Sequence, residues 1–215
     1  DGTVTLLRLP TRRYYARASA PPALCAHTRP VSSLAWSHSC RLLLTSAADG
    51  AAALWDVGAD RPPAAPLIKL AHDSPAHGAS FFYLDRFILV GAGNTLHLYS
   101  YALQRAPNDD AARAAELRHA WRRHHSWPLE HAQTLTCFGA PNSFLSPIVV
   151  AAGSDRSLVA LDLGTGQQVL TIADAHERPV HTLRLSEGSA CADAPAAGCD
   201  LFLSAALDGA LKLWD

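Results

Sequence analysis

The sequence lacks any apolar run that approaches the roughly 18 residues needed to cross a bilayer. It opens at Asp1 with neither a signal peptide nor an initiator methionine, so we expect a soluble segment of a longer polypeptide. Neither sign of charge is in excess, because 18 basic and 19 acidic side chains leave a net charge of -1. This balance argues against a protein that coats a polyanion, and no membrane partner is expected.

Cysteine is sparse, and the catalytic motifs are missing. Five cysteines are spread through 215 residues, a pattern that favours a reducing compartment and predicts a cytoplasmic location. The chain has no Gly-x-Ser-x-Gly elbow, phosphate loop or His-Glu-x-x-His motif. Glu116 and His119 have the spacing of bundle metal ligands, but no second such helix is visible. We therefore expect no catalytic residue, no cofactor and no metal ion.

What the sequence does contain is internal repetition. One copy spans 27–56 and another spans 176–215. Both begin with His-x-Arg-Pro-Val, continue through an apolar run to Asp-Gly, and end on Leu-Trp-Asp. A third copy spans 131–162 and a weaker one spans 72–100, while residues 1–8 match the tail of a preceding copy. The chain is therefore expected to consist of successive equivalent units.

The pattern within each copy predicts short β-strands separated by turns, because β-branched and aromatic residues are concentrated in short apolar runs. Asp49-Gly50 and Asp208-Gly209 each stand between two apolar runs, which is a strong hairpin signal. In the third copy, a turn near Gly164 is followed by an outer strand at 169–172. Four strands in each unit predict a ring of small sheets, because one such sheet cannot bury both of its faces alone.

These repeats resemble the WD-repeat β-propeller family. The resemblance implies an all-β fold in which this chain supplies about four blades of a ring that usually has seven, with the rest of the polypeptide closing the ring. It also implies a hydrogen-bonded tetrad in each blade, made of an entry-loop His, a Ser or Thr on the second strand, an Asp in the next turn and a Trp on the third strand. The complete sets by position are His27, Thr45, Asp49 and Trp55, and His176, Ser204, Asp208 and Trp214. The partial sets retain His131 and Asp155 in the third copy and His72 in the second.

A His, an Asp and a hydroxyl also resemble an acid–base triad. A set that recurs in each blade is unlike an active site, which rarely recurs, so we interpret the tetrads as structural. Buried His and Asp side chains need hydrogen-bond partners, and the indole of Trp supplies one donor.

Two insertions interrupt the repeats, at 103–129 and 187–198. The second is rich in small and polar residues and predicts a surface loop. The first predicts a helix over 111–125, capped by Asn108 or Asp109. That helix either packs on the side of the propeller or docks a partner through Trp121 and Trp127 as aromatic anchors. Arg122 and Arg123 lie beside them and leave nucleic-acid binding as an alternative, although the net charge across 105–125 is only +2.

The resemblance implies a non-catalytic scaffold for protein–protein interaction, acting as a subunit or adaptor of a larger complex, with cytoskeletal and ciliary complexes included. Two stretches, 80–89 and 173–181, resemble one individual member of the family more closely and imply the same role. In this family, the entry loops and the turns after the second strand meet on one face. The expected contact residues on that face are Arg29, Asp73, Gln133, Ser154, Arg178 and Leu207. The other interpretation is that these are ordinary solvated loop residues.

Overall fold

The chain forms a row of small antiparallel sheets. The computed structural model describes residues 2–6, 23–58, 65–104, 119–130, 132–143, 146–186 and 201–215. These residues form seventeen strands in five sheets and no helix. Among the described residues there is therefore no helix that is long and apolar enough to span a membrane. The all-β propeller architecture predicted from the repeats is confirmed.

The sheets follow one another in chain order, and strands within each sheet are neighbours in sequence. Sheet 1 has β1 (Thr3–Thr5) and β2 (Ala23–Cys25). Sheet 2 has β3 (Val31–Trp36), β4 (Leu42–Ala47), β5 (Ala51–Asp56) and β6 (Ile68–Ala71). Sheet 3 has β7 (Ala76–Phe82), β8 (Phe87–Ala92), β9 (Thr95–Ala102) and β10 (Ala120–Pro128). Sheet 4 has β11 (Leu135–Gly139), β12 (Ile148–Gly153), β13 (Leu158–Asp162) and β14 (Gln167–Ile172). Sheet 5 has β15 (Val180–Leu185), β16 (Phe202–Ala206) and β17 (Leu211–Trp214).

The core lies between the sheets. Leu44 and Leu54 of sheet 2 pack against Ile88 and Val90 of sheet 3. Equivalent apolar clusters join sheet 3 to sheet 4, sheet 4 to sheet 5, and sheet 1 to sheet 2. Strands such as β4 and β8 are therefore covered on both faces, which explains why their sequences are continuous apolar runs rather than alternating ones.

Each sheet extends beyond the repeat that begins it. The repeat 27–56 supplies β3, β4 and β5, and the outer strand β6 comes later, in the segment before His72. The outer strand β14 likewise follows the repeat 131–162, as the sequence predicted. The innermost strands β3, β7, β11 and β15 contact their neighbours in that order, so the sheets are arranged like consecutive blades.

The predicted helix in the first insertion is wrong in its described part. Residues 120–128 form β10, the outer strand of sheet 3, which pairs with β9 from Ala102 back to Thr95. Local helix propensity favoured the alternative, but pairing with the free edge of β9 outweighs a preference of a few tenths of a kcal/mol per residue. Residues 105–118 and the whole loop insertion 187–198 lie outside the described residues.

Candidate interaction site

The first complete tetrad closes sheet 2. His27 Nδ1 lies 3.4 Å from Asp49 Oδ1, and His27 Nε2 lies 2.7 Å from Thr45 Oγ1. The indole of Trp55 donates to the same hydroxyl at 3.2 Å. Because a carboxylate only accepts, Nδ1 of the neutral ring carries the proton, and Nε2 accepts from the Thr45 hydroxyl. The tetrad thus links the entry loop to β4, to β5 and to the turn between them.

The second complete tetrad has the same connections in sheet 5. His176 Nδ1 lies 3.0 Å from Asp208 Oδ2, and His176 Nε2 lies 2.7 Å from Ser204 Oγ. Trp214 Nε1 donates to Ser204 Oγ at 2.8 Å. Asp208 also accepts the backbone N–H of Glu177 at 3.0 Å. The two complete sets of residues that the family resemblance implied are therefore brought together in space.

The incomplete copies use different partners. His72 Nδ1 donates to the Gly50 carbonyl at 3.0 Å, and the Tyr99 hydroxyl donates to His72 Nε2 at 2.9 Å. The longer reach of Tyr99 replaces both the missing hydroxyl on β8, where Leu89 stands, and the missing Trp. Burial, the largest influence, lowers the pKa of His72 below its usual value. In the third copy, Asp155 accepts from Ser157 within its own turn, and His131 lies outside the described residues.

Entry loops and turns form one continuous rim, which we call the loop rim and define as residues 26–30, 48–50, 72–75, 93–94, 132–134, 153–156, 174–179 and 207–209. Within a sheet, the Ser154 N–H donates to the Thr134 carbonyl at 2.8 Å. Between sheets, the Leu135 N–H donates to the Gly93 carbonyl at 2.7 Å, and the Ala175 N–H donates to the Arg156 carbonyl at 3.0 Å. The loops therefore hold one another in fixed positions along the rim.

The predicted contact residues lie on this rim. Arg29, Asp73, Gln133 and Arg178 are exposed, and Ser154 is partly exposed. Leu207 is 81% exposed beside the Asp208-Gly209 turn. The structure thus places them on one side of the sheets, at the ends where each first strand begins.

The tetrad register also matches a known family model. The model described as "WD domain, G-beta repeat" matches residues 22–56, the segment that contains the first complete tetrad. Residues 22–56 therefore match a WD repeat. The chain is also similar to the COMPASS component SWD1 of Saccharomyces cerevisiae (strain ATCC 204508 / S288c), with 42% identity over 67 residues. That match covers 31% of this chain and 15% of the yeast protein, so the chain spans a small part of that relative's length.

The hydroxyls in the two complete tetrads are not placed for nucleophilic attack. Thr45 and Ser204 are fully buried, and each already contacts a His and accepts from an indole. A nucleophile has to reach a substrate, which a buried and bonded hydroxyl cannot do. In the described part of the chain, no three His, Cys, Asp or Glu side chains come together as metal ligands. The arrangement can brace a blade and position its loops.

Of the aromatic residues predicted as anchors in the insertion, one is exposed and one is not. Trp121 is 49% exposed on β10, and its ring meets Tyr99 edge-on at 5.7 Å. The prediction for Trp127 is wrong, because that side chain is 6% exposed and packs between sheets 3 and 4, where its indole donates to the Gly166 carbonyl at 2.8 Å. Arg122 and Arg123 are exposed on the same strand as Trp121.

A turn at the opposite ends of the strands was not foreseen from the sequence. Tyr83, Leu84 and Asp85 all have positive φ, between 52° and 62°. The Asp85 carboxylate accepts the N–H of His38 from sheet 2 at 2.8 Å and the amide of Asn142 from sheet 4 at 2.6 Å. A cleft of about 330 Å³ lies beside this turn. No local pattern marks three such residues, since bonds from two other sheets hold them in this region.

The tetrad carboxylates make stability depend on pH. Burial raises the pKa of Asp49, but N–H bonds from Thr28 and Ala51 outweigh it, so the pKa is lowered. The Ala210 N–H is the largest influence on Asp208, whose pKa is also lowered. A folded-state pKa below the unfolded value gives stability that is complete above the ordinary pKa of about 4 and is lost as pH falls through the lower value.

We expect the variant Asp49→Asn to lose less stability on acidification than the wild-type protein, because the amide keeps an accepting oxygen but does not titrate. Urea midpoints measured between about pH 6 and pH 2 would show a shallower decline for the variant, with Asp208 responsible for part of what remains. The control is Asp73→Asn, at an exposed carboxylate on the next entry loop, which should keep the wild-type slope. Identical slopes for Asp49→Asn and the wild type would contradict this role for Asp49.

Proposed function

We propose that this chain is a non-catalytic scaffold for protein–protein interaction and works as a subunit or adaptor of a larger complex. The observation that carries the proposal is the loop rim, where exposed side chains stand on loops that are hydrogen-bonded to one another and braced by buried tetrads. Rigid loops lose little conformational entropy on binding, so such a rim suits recognition. The yeast relative's description as a component of COMPASS supports membership of a complex.

We also propose that further blades of the same polypeptide pack against this chain, because two sheet faces leave apolar side chains exposed to solvent. On sheet 2, Leu34 is 55% and Trp36 is 52% exposed. On sheet 5, Leu211 is 69% and Leu213 is 65% exposed. In the other sheets, equivalent faces pack against a neighbouring blade, so additional blades of the same protein would cover these two faces. The cytoplasmic location and the cytoskeletal or ciliary setting stay predictions.

Charge reversal on the rim tests the scaffold. Full-length protein carrying both Arg29→Glu and Arg178→Glu should lose specific partners in affinity purification with quantitative mass spectrometry, with recovery reduced about ten-fold. Its thermal midpoint should not change, because both side chains are exposed. The matched control is Arg86→Glu, an exposed arginine beside Asp85 at the opposite ends of the strands, which should keep the partners. If the double variant kept all of its partners, the claim that the loop rim binds them would be contradicted.

Nucleic-acid binding is the alternative function, and one observation favours it. Arg122, Arg123, His124 and His125 are exposed in a row on β10 beside Trp121. A protein that binds nucleic acid through these residues would lose affinity steeply with added salt.

A further inference from the structure

The outer strand of sheet 3 differs from the other outer strands. β10 has nine residues, whereas β6 has four and β14 has six. Residues 120–125 are exposed one after another, and only the end near Trp127 is covered. β10 pairs with β9 on one side, and within the described ranges no strand pairs with its other side. It is therefore a long and accessible sheet edge.

An open edge offers a row of backbone donors and acceptors. In an antiparallel pair, alternate residues direct their N–H and C=O groups away from the partner strand. Such a row is a template on which an extended peptide can add as a further strand, with the backbone bonds giving affinity and the side chains giving selectivity. A register shift between Arg123 and His125 interrupts the regular pairing of β10 with β9.

The side chains of β10 favour one sign of charge in a peptide strand that pairs with this edge. Two arginines and two histidines follow Trp121, and the sequence has no carboxylate from 119 to 129. A second copy of this strand would bring like charges together, which disfavours self-pairing. An acidic strand would place carboxylates opposite the guanidinium groups. Trp121, held against Tyr99, adds an aromatic surface of the kind that dominates interfaces.

We propose that β10 is a docking edge that takes an extended acidic segment of a partner protein as a fifth strand of sheet 3. This inference rests on the proposed scaffold function and names the chemistry of one partner. A peptide uses both the open backbone row and the basic side chains. A nucleic acid uses only the charges, and two guanidinium groups are few beside the six to ten phosphate contacts, roughly, that strong binding involves.

The test uses the full-length protein and a fluorescein-labelled nonapeptide that alternates Glu with Val, followed by fluorescence anisotropy. We expect saturable binding. Two altered peptides should bind about ten-fold more weakly, one with a central proline at a Val position and the same charge, the other with Lys in place of Glu. In the protein, Arg122→Glu should weaken binding of the acidic peptide by about the same factor.

The matched protein control lies on β14, an uncharged outer strand that is also exposed. Gln168→Glu also introduces a carboxylate on an outer strand, with a charge change of one unit against two for Arg122→Glu, and should leave peptide affinity unchanged. Hydrogen exchange supplies a direct readout of location. Amides within 120–125 should gain protection when the acidic peptide binds, and those of 167–172 should not.

Each contrary result has a definite meaning. Equal affinity for the proline peptide, or no added protection in 120–125, would overturn strand addition. An oligonucleotide that displaces the peptide and binds more tightly, with a steep salt dependence, would assign β10 to nucleic acid instead. If the rim variants lose their partners while the acidic peptide fails to bind, this inference fails and the scaffold stands. If the full-length protein has no specific partners at all, the scaffold itself fails.

Discussion

Replacing Trp55 with alanine is expected to lower the free energy of unfolding by about 3–5 kcal/mol. The side chain is fully buried and packs with Leu43 and Leu24 between sheets 1 and 2. Its removal leaves a large cavity and also deprives the Thr45 hydroxyl of the indole donor. Denaturant unfolding followed by circular dichroism would measure the loss.

A second variant at this position separates packing from hydrogen bonding. Trp55→Phe keeps an aromatic ring in the cluster but removes the indole N–H, so we expect a smaller loss of about 1–2 kcal/mol. If Trp55→Ala lowered stability by less than about 1 kcal/mol, this indole would not support the blade as described.

Replacing Gly50 with alanine is the second large effect that we expect. Gly50 has a φ of +81°, and an added Cβ would lie 2.4 Å from the His72 carbonyl oxygen and 2.9 Å from that of Ser74. Left-handed backbone in a residue with a side chain costs about 1–2 kcal/mol, and forcing apart packed backbone adds about 1–3 kcal/mol. The total expected loss of unfolding free energy is therefore about 2–5 kcal/mol.

The control is Gly166→Ala, in the turn between β13 and β14. Gly166 has a φ of +74°, but within the described residues an added Cβ would meet nothing within 4 Å. Only the backbone penalty of about 1–2 kcal/mol applies there. Comparison of the two variants by denaturant unfolding isolates the contact between the sheet 2 turn and the next entry loop. Equal losses at the two positions would show that this contact is not tight.

Much of the fold could be predicted because its signals are local. The interval from Asp49 to Trp55 is repeated from Asp208 to Trp214, and both copies have an Asp-Gly turn between two apolar runs. The structure has strands at these apolar runs. The tetrads could be foreseen because the resemblance to the WD-repeat family implies their positions in each repeat, and polar side chains buried there need hydrogen-bond partners.

The outer strand of sheet 3 shows where local signals fail. Its segment follows an alanine-rich stretch and alternates poorly, so helix propensity dominated the prediction. One signal could have corrected the helix prediction. Sheets 2 and 4 each take their fourth strand from the segment after the Trp-Asp position, and 103–129 is the corresponding segment for the fourth strand of sheet 3. The same error misplaced Trp127, which is core rather than surface.

By itself, the amino-acid sequence determined the repeating unit and the all-β class, because hairpin turns and strand periodicity depend on neighbours along the chain. The members of both complete tetrads followed from the resemblance of the repeats to the WD-repeat family. Only the tertiary structure decided that 120–128 is a strand and that Asp85 is a junction of three sheets. Both depend on partners distant in sequence, the free edge of β9 in one case and His38 and Asn142 in the other. Such contacts stabilise conformations that local propensity does not favour.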